Sequence, residues 1–380
     1  MNRLCLLLLV LLVGCFKESQ GNMRSVGVPG EPSWSAKTPA SAQNSSATAA
    51  PGASTQPLLL CPPVDIDVNG SGVWLHELDR WREMTGLRGV RENPRMSQGN
   101  YAHARYLVKA GPPDDASFIA YRNSIGAAAH REDANSPFYS AEGADAANGG
   151  KVTIGGLWAA DVSWDRNQCD DVRGLLVAPF HRLSLLAPWA TVAGYGAFGN
   201  YPRRAAALAL WGIPQDSGGT GQVEFPPDGS TLAIAAMNNS EWPNPLTSCP
   251  GYVRPVGLPI SLQMGSPADW RPFPLAISLQ MGNLVRLESF SLRDVTKDDP
   301  VEACAFDAFT YRNPEAAAQA SGSNALRLYR AVVLIPRYPL RPGHRYAVGI
   351  KTHGHAVNWT FGIAASAVIR APLISGEPLR

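Results

Sequence analysis

Apolar positions recur at helical spacing in the first half of the chain and at strand spacing in the second. Trp74, Leu78 and Trp81 lie at i, i+4 and i+7, which predicts a helix with one apolar face, broken by Gly86. A second helix is expected behind Ser97 as N-cap. Its face would be Tyr101, Ala104, Leu107 and Val108, and Gly111-Pro112-Pro113 would end it. A third is expected over Cys169–Val177, with Val172, Leu175 and Leu176 inward. The runs Thr191–Phe198 and Ala205–Trp211 read as strands. Helices placed before and around a small sheet predict an α+β or α-β-α architecture.

Beyond Gln215-Asp216-Ser217-Gly218-Gly219-Thr220-Gly221 the period shortens. Strands are expected at Thr231–Ala236, Leu258–Met264, Leu275–Met281, Val285–Leu292, Leu326–Ile335, Tyr346–Thr352 and Trp359–Ile363. Short strands at this spacing predict an Ig-like all-β sandwich. Ile-Ser-Leu-Gln-Met-Gly occurs twice, at Ile260–Gly265 and Ile277–Gly282, and each copy alternates as a half-buried strand does. The expected organisation is a leader over 1–15, a Ser/Ala/Pro-rich tether over 16–58, an α+β domain over 59–218 and the β-sandwich over 219–380.

The leader has its own pattern. Arg3 precedes an apolar run, Leu4–Val13, shorter than the about 20 residues a helix needs to span a bilayer. It fits the apolar region of a secretory signal. Leu12-Val13-Gly14-Cys15 resembles the lipobox of bacterial lipoproteins, which implies a lipid on Cys15 and a membrane-anchored, extracytoplasmic protein. In a Gram-negative cell the outer membrane or cell surface is the expected location. The tether, with few apolar anchors, would remain disordered and reach roughly 35–40 Å.

Composition narrows the partners. A net charge of +2, with 17% charged residues and no basic stripe, argues against nucleic acid. The 36 glycines and 32 prolines suit a loop- and strand-rich chain. With Cys5 in the leader and Cys15 acylated, Cys61, Cys169, Cys249 and Cys304 would form two disulfides in an oxidising compartment. Three connectivities exist. Cys61–Cys169 with Cys249–Cys304 is favoured, because each pair then lies within one expected domain.

Five segments together resemble the bacterial CAP superfamily, the SCP/PR-1-like group. They are Leu78-Asp79-Arg80-Trp81 through Gly86-Leu87-Arg88-Gly89-Val90; Asn93-Pro94-Arg95-Met96-Ser97 with His103-Ala104-Arg105-Tyr106-Leu107; His130-Arg131-Glu132-Asp133 with Ala141-Glu142-Gly143-Ala144; Ala178-Pro179-Phe180-His181-Arg182; and Gly194-Tyr195-Gly196. The resemblance covers about 70–212. It implies a cleft with two histidines and two acids, often holding a divalent metal. It carries His130, Glu142 and His181 onto that site as metal ligands and as the catalytic candidates, and Asp171 as the fourth ligand. Imidazole and carboxylate together suit zinc or a similar ion. His103 is read as structural, His76 as solvated and Asp114-Asp115 as turn chemistry. His353-Gly354-His355 is read as two same-face strand residues, a conceivable metal pair.

Neither Gly-x-Ser-x-Gly nor His-Glu-x-x-His occurs. The expected function is therefore a tethered binding module, a monomer, for an apolar or peptide-like ligand or for an envelope or host surface component. Phe138, Tyr139, Phe180 and Tyr195 would suit such a cleft. The alternative is a metal-dependent peptide or ester hydrolase using His130, Glu142 and His181.

Overall fold

Alternation along two neighbouring strands decides how the first half packs. The computed structural model describes residues 72–148, 161–212, 222–264 and 285–368, all within the compact unit Gly52–Arg380. In order come α1 (Val73–Met84), β1 (Arg91–Glu92), α2 (Pro94–Ala110), α3 (Asp115–Ser124), α4 (Ala141–Ala147), β2 (Asp161–Ser163), α5 (Gln168–Val177), α6 (Pro179–Leu185), β3 (Val192–Asn200) and β4 (Arg203–Trp211). The strands form one sheet, β1-β3-β4-β2. Successive side chains on β3 and β4 point to opposite faces. One face carries Gly194, Gly196, Ala205, Ala207 and Ala209, with Gly194 opposite Ala209 and Gly196 opposite Ala207. So little side chain lets α2 lie directly on the strands. A Cβ on Gly196 would fall 2.0 Å from the Tyr101 amide nitrogen, and one on Gly194 2.4 Å from Met96 Cβ. The other face carries Tyr195, Leu208 and Leu210, buried with Trp74 and Leu78 of α1 and Val172, Leu175 and Leu176 of α5.

The three expected helices are present, and the second begins earlier than expected. Asn93, not Ser97, caps α2, accepting from the Arg95 and Met96 amides with Pro94 in the first turn. Ser97 lies inside the helix, where its hydroxyl donates to Glu92 and accepts from the Tyr195 amide. Tyr101 is 46% exposed rather than buried, with its edge against Phe198. Asp114 caps α3 by accepting from the Ser117 amide.

The second half adds β5 (Val223–Phe225), β6 (Thr231–Ile234), β7 (Ala236–Met237), β8 (Val256–Gly257), β9 (Ile260–Gln263), β10 (Leu287–Asp294), β11 (Asp299–Pro300), β12 (Ala303–Phe306), α7 (Ala316–Leu328), β13 (Ala331–Pro336), β14 (Arg345–Thr352) and β15 (His355–Val368). Two larger sheets result, β12-β13-β9-β5 and β11-β10-β14-β15-β6, with β7 and β8 paired separately. This half is not all strand. The expected strand Leu326–Ile335 begins in α7, because the preceding run is alanine-rich and favours helix. β13 is buried at every position and reads as a continuous apolar run. His353 and Gly354 both have positive φ, 43° and 80°, and turn the β14–β15 hairpin, so His353 and His355 do not share a strand face.

Cys249 and Cys304 are disulfide-bonded, with Cα atoms 5.7 Å apart. Cys169 is also disulfide-bonded. Its expected partner Cys61, the leader with Cys15, the tether, Gln215–Gly221 and the expected strand Leu275–Met281 lie outside the described residues. Among the described residues no helix is long and apolar enough to cross a membrane.

The apolar core is continuous from the first half into the second. Trp81 meets Phe225, Phe180 meets Phe306 and Tyr311, and Trp189 stacks on Tyr329 at 5.5 Å. The overall class is α+β, in several sheets.

The α2–sheet contact gives a direct test. Gly196→Ala should lower the unfolding free energy by about 2–3 kcal/mol through overpacking, read by urea denaturation. A change within error would mean that α2 is not seated on that face.

Candidate functional site

Two arginines fix the helix that carries His181. Arg82 of α1 is buried and donates to the carbonyls of Leu185, Ala187 and Ala190, holding the turn that leaves α6. Burial draws its pKa down to about 10. Arg182, also buried, points from α6 into the core. It donates to the Leu176 carbonyl and to Ser261 Oγ on β9, with its guanidinium 4.1 Å from the centre of the Phe225 ring. Burial lowers its pKa to about 9, against the charge of Glu241. Pro179 opens α6 at a position where a missing amide hydrogen costs nothing. Adjacent residues on a helix point about 100° apart, so Arg182 facing inward turns His181 aside.

His181 meets a carboxylate from the second half. Glu241 Oε1 accepts from the His181 amide at 2.9 Å and lies 3.0 Å from His181 Nδ1. The other ring nitrogen, Nε2, faces Asp161 Oδ1 at 4.0 Å. Asp161 Oδ2 accepts from the Ser184 hydroxyl, one turn further along α6. The order is thus Glu241, His181, Asp161, Ser184. Glu241 Oε2, Arg182 Nη2 and Arg254 Nε are buried beside this chain without a hydrogen-bond partner.

The residue after Glu241 reaches the other histidine. The Trp242 ring centre lies 6.0 Å from that of His130, which ends the 3₁₀ turn Gly126–His130. Trp242 also packs over Gly126, and its Nε1 donates to Glu315 at 3.2 Å. One loop, through consecutive residues, therefore touches both histidines.

The two expected acids are engaged differently. Glu142 is exposed in the first turn of α4, whose cap is Ser140. Asp171 is buried. It accepts from both terminal nitrogens of Arg204 and from the Tyr195 hydroxyl at 2.7 Å. Burial, and after it the Asp171 charge, hold the Tyr195 pKa well above its ordinary value. The ion pairs of His181 run to Glu241 and Asp161, not to Glu142 or Asp171. Among the described residues no group of three or more His, Cys, Asp or Glu side chains is arranged to hold a metal ion. His103 is buried between Glu132 and the Ala129 carbonyl. Sequence reasoning missed Glu241, Trp242 and Asp161. Glu241 stands 60 residues from His181, inside the segment assigned to a separate domain, and no spacing rule links the two.

Burial raises the Asp161 pKa to about 6, opposed by the His181 charge and the Ser184 hydrogen bond. Burial disfavours charge on His181, yet the Glu241 hydrogen bond and the two carboxylates raise its pKa above the ordinary value. Both groups bind their protons more tightly in the folded chain. The Asp161 contribution is full below 3.8 and is lost as pH rises through about 6. The His181 contribution is full below 6.5 and is lost as pH rises through the higher folded value. Stability should therefore fall as pH climbs from 4 to 8, by up to roughly 1.4 kcal/mol per pH unit for each group. Urea unfolding across that range checks it. Asp161→Asn should flatten the acidic part and His181→Gln the part above 6.5; unchanged slopes in both variants would refute the linkage.

No protein-family model matches the chain, and no curated protein is detectably similar to it.

Proposed function

We propose that this chain is an extracytoplasmic ligand-binding module of the CAP type, anchored by a lipid on Cys15, with its ligand site around His130, Trp242 and His181. The observation that carries the reading is the loop on which Glu241 meets His181 while Trp242 meets His130. Two sequence segments singled out by their resemblance, 51 positions apart, are served by one loop. Support also comes from the layers: α2 on one sheet face and α1 with α5 on the other make the α-β-α arrangement that a CAP-like domain requires. The strand-rich second half is read as its Ig-like companion, modified by α7. Trp242 supplies an aromatic surface for an apolar or peptide-like ligand, and His181, flanked by two carboxylates, supplies a charged edge.

Peptide and lipid arrays probed with the purified chain should return a ligand whose binding falls about tenfold or more in Trp242→Ala and in His130→Ala, the loss of one anchor contact. Arrays bound equally by wild type and both variants would remove the site. Zinc-dependent turnover of a peptide or ester that disappears in Glu142→Ala and in His181→Ala would replace this reading with the metal-dependent hydrolase. Mass spectrometry of the mature N-terminus tests the anchor: a diacylated or triacylated Cys15 is expected, and an unmodified residue there excludes it.

A further inference from the structure

The tip of the β3–β4 hairpin gathers cations that the His181 site does not use. Gly199 turns the strand with φ +83°, and a Cβ there would lie 2.2 Å from the Arg203 carbonyl oxygen, so the tip requires glycine for both dihedral and space. Between the hairpin, the last turn of α2 and the start of α3 opens a pocket of ≈ 380 Å³. Lys109, Asp115, Phe198, Asn200, Tyr201 and Arg203 line it. That volume lies near the lower end of the ~300–1,000 Å³ of small-molecule sites. It is roomier than a bare inorganic anion needs.

The charges around it are unbalanced. Lys109 and Arg203 bring two positive charges to the wall, and Asp115 is the one acid among the lining residues. The guanidiniums of Arg166 and Arg122 lie 4.9 and 5.5 Å from the centre of the Tyr201 ring. Among the described residues Lys109, Arg166 and Arg203 form no ion pair with a carboxylate. Arg203 Nε is buried and makes no hydrogen bond. A buried N–H without an acceptor costs about 1–3 kcal/mol. Solvated surface arginines do not carry that cost.

We propose that this pocket binds a phosphoryl group. The Arg203 fork and the Lys109 ammonium hold its oxygens, the fork matching a phosphate in two directions and the ammonium adding charge. Asn200 is placed to donate a further hydrogen bond. Phe198, under Lys109 at 5.7 Å, and Tyr201 cover the part of the ligand beyond the phosphate. A phosphomonoester carries about −1.5 to −2 near neutral pH, which answers this excess of cations; a carboxylate carries a single charge. Its source is either a soluble phosphate ester or a phospholipid headgroup, which present the same chemistry to the pocket.

Calorimetry on the full chain tests it, with inorganic phosphate titrated against chloride at equal ionic strength. Saturable phosphate binding is expected, weakened about tenfold or more in Arg203→Gln and in Lys109→Gln, the loss of one charge-assisted hydrogen bond. Lys109 is exposed, so its variant keeps the fold and leaves the test decisive even where Arg203→Gln destabilises the hairpin. Glycerol 3-phosphate and dihexanoyl phosphatidic acid then separate the sources: tighter binding of the first assigns a soluble ester, and of the second a lipid headgroup, each supporting the site. No saturable phosphate binding, or equal affinity in wild type and Lys109→Gln, overturns it.

Discussion

The arrangement around His181 depends on a charged group held away from water. Arg182 places a guanidinium in the core, and burying such an ion costs several kcal/mol unless its donors are met. A carbonyl of α5, a hydroxyl of β9 and the face of Phe225 meet it in part, and Nη2 has no hydrogen-bond partner. Those three partners come from a helix in the first half and from two strands in the second. Holding this one side chain fixes how α6 sits against the β12-β13-β9-β5 sheet. Once that contact is set, the direction of His181 follows from helix geometry.

The two buried acids at the start of α5 have different partners. Asp170 lies beside the cap, where its carboxylate accepts from Asn167. Asp171, the next residue, faces inward to Arg204 and Tyr195. The Arg204 pair uses both guanidinium nitrogens, the geometry in which Arg and carboxylate match best. This trio ties α5 to β3 and β4 and supplies polar partners beneath an apolar sheet face. It leaves Asp171 fully employed in holding the sheet to the helix layer.

The sequence was most legible where one local rule governs. Trp74, Leu78 and Trp81 face the core as their spacing predicts, and so do Val172, Leu175 and Leu176. The Cys249–Cys304 pairing agrees with the structure. The start of α2 is ambiguous in sequence because Asn93 and Ser97 both suit a cap, and only Asn93 precedes the proline. The end of α7 reads as strand because Leu326 and Leu328 join an apolar run, whereas the preceding alanines carry the stronger preference. The His353-Gly354-His355 pattern reads as strand alternation, but His353 and Gly354 both have positive φ. Of the candidate site, His130 and His181 were found from motifs. Glu241 and Trp242 were not, since only the folded chain brings residues so distant in sequence against them.

The loop that joins the two histidines is itself pinned. It runs from Asn238 to Cys249, and Cys249 is buried and bonded to Cys304 on β12. The carboxylate beside His181 therefore hangs from a segment whose far end is fastened by sulfur. Reducing that bond would remove one fastening of the loop that carries Glu241 and Trp242, leaving its hydrogen bonds to Gly174, Glu315 and Tyr311. The protonation of a histidine and the redox state of a cystine, two quantities with no direct chemical link, are thereby made to depend on the same short stretch of backbone.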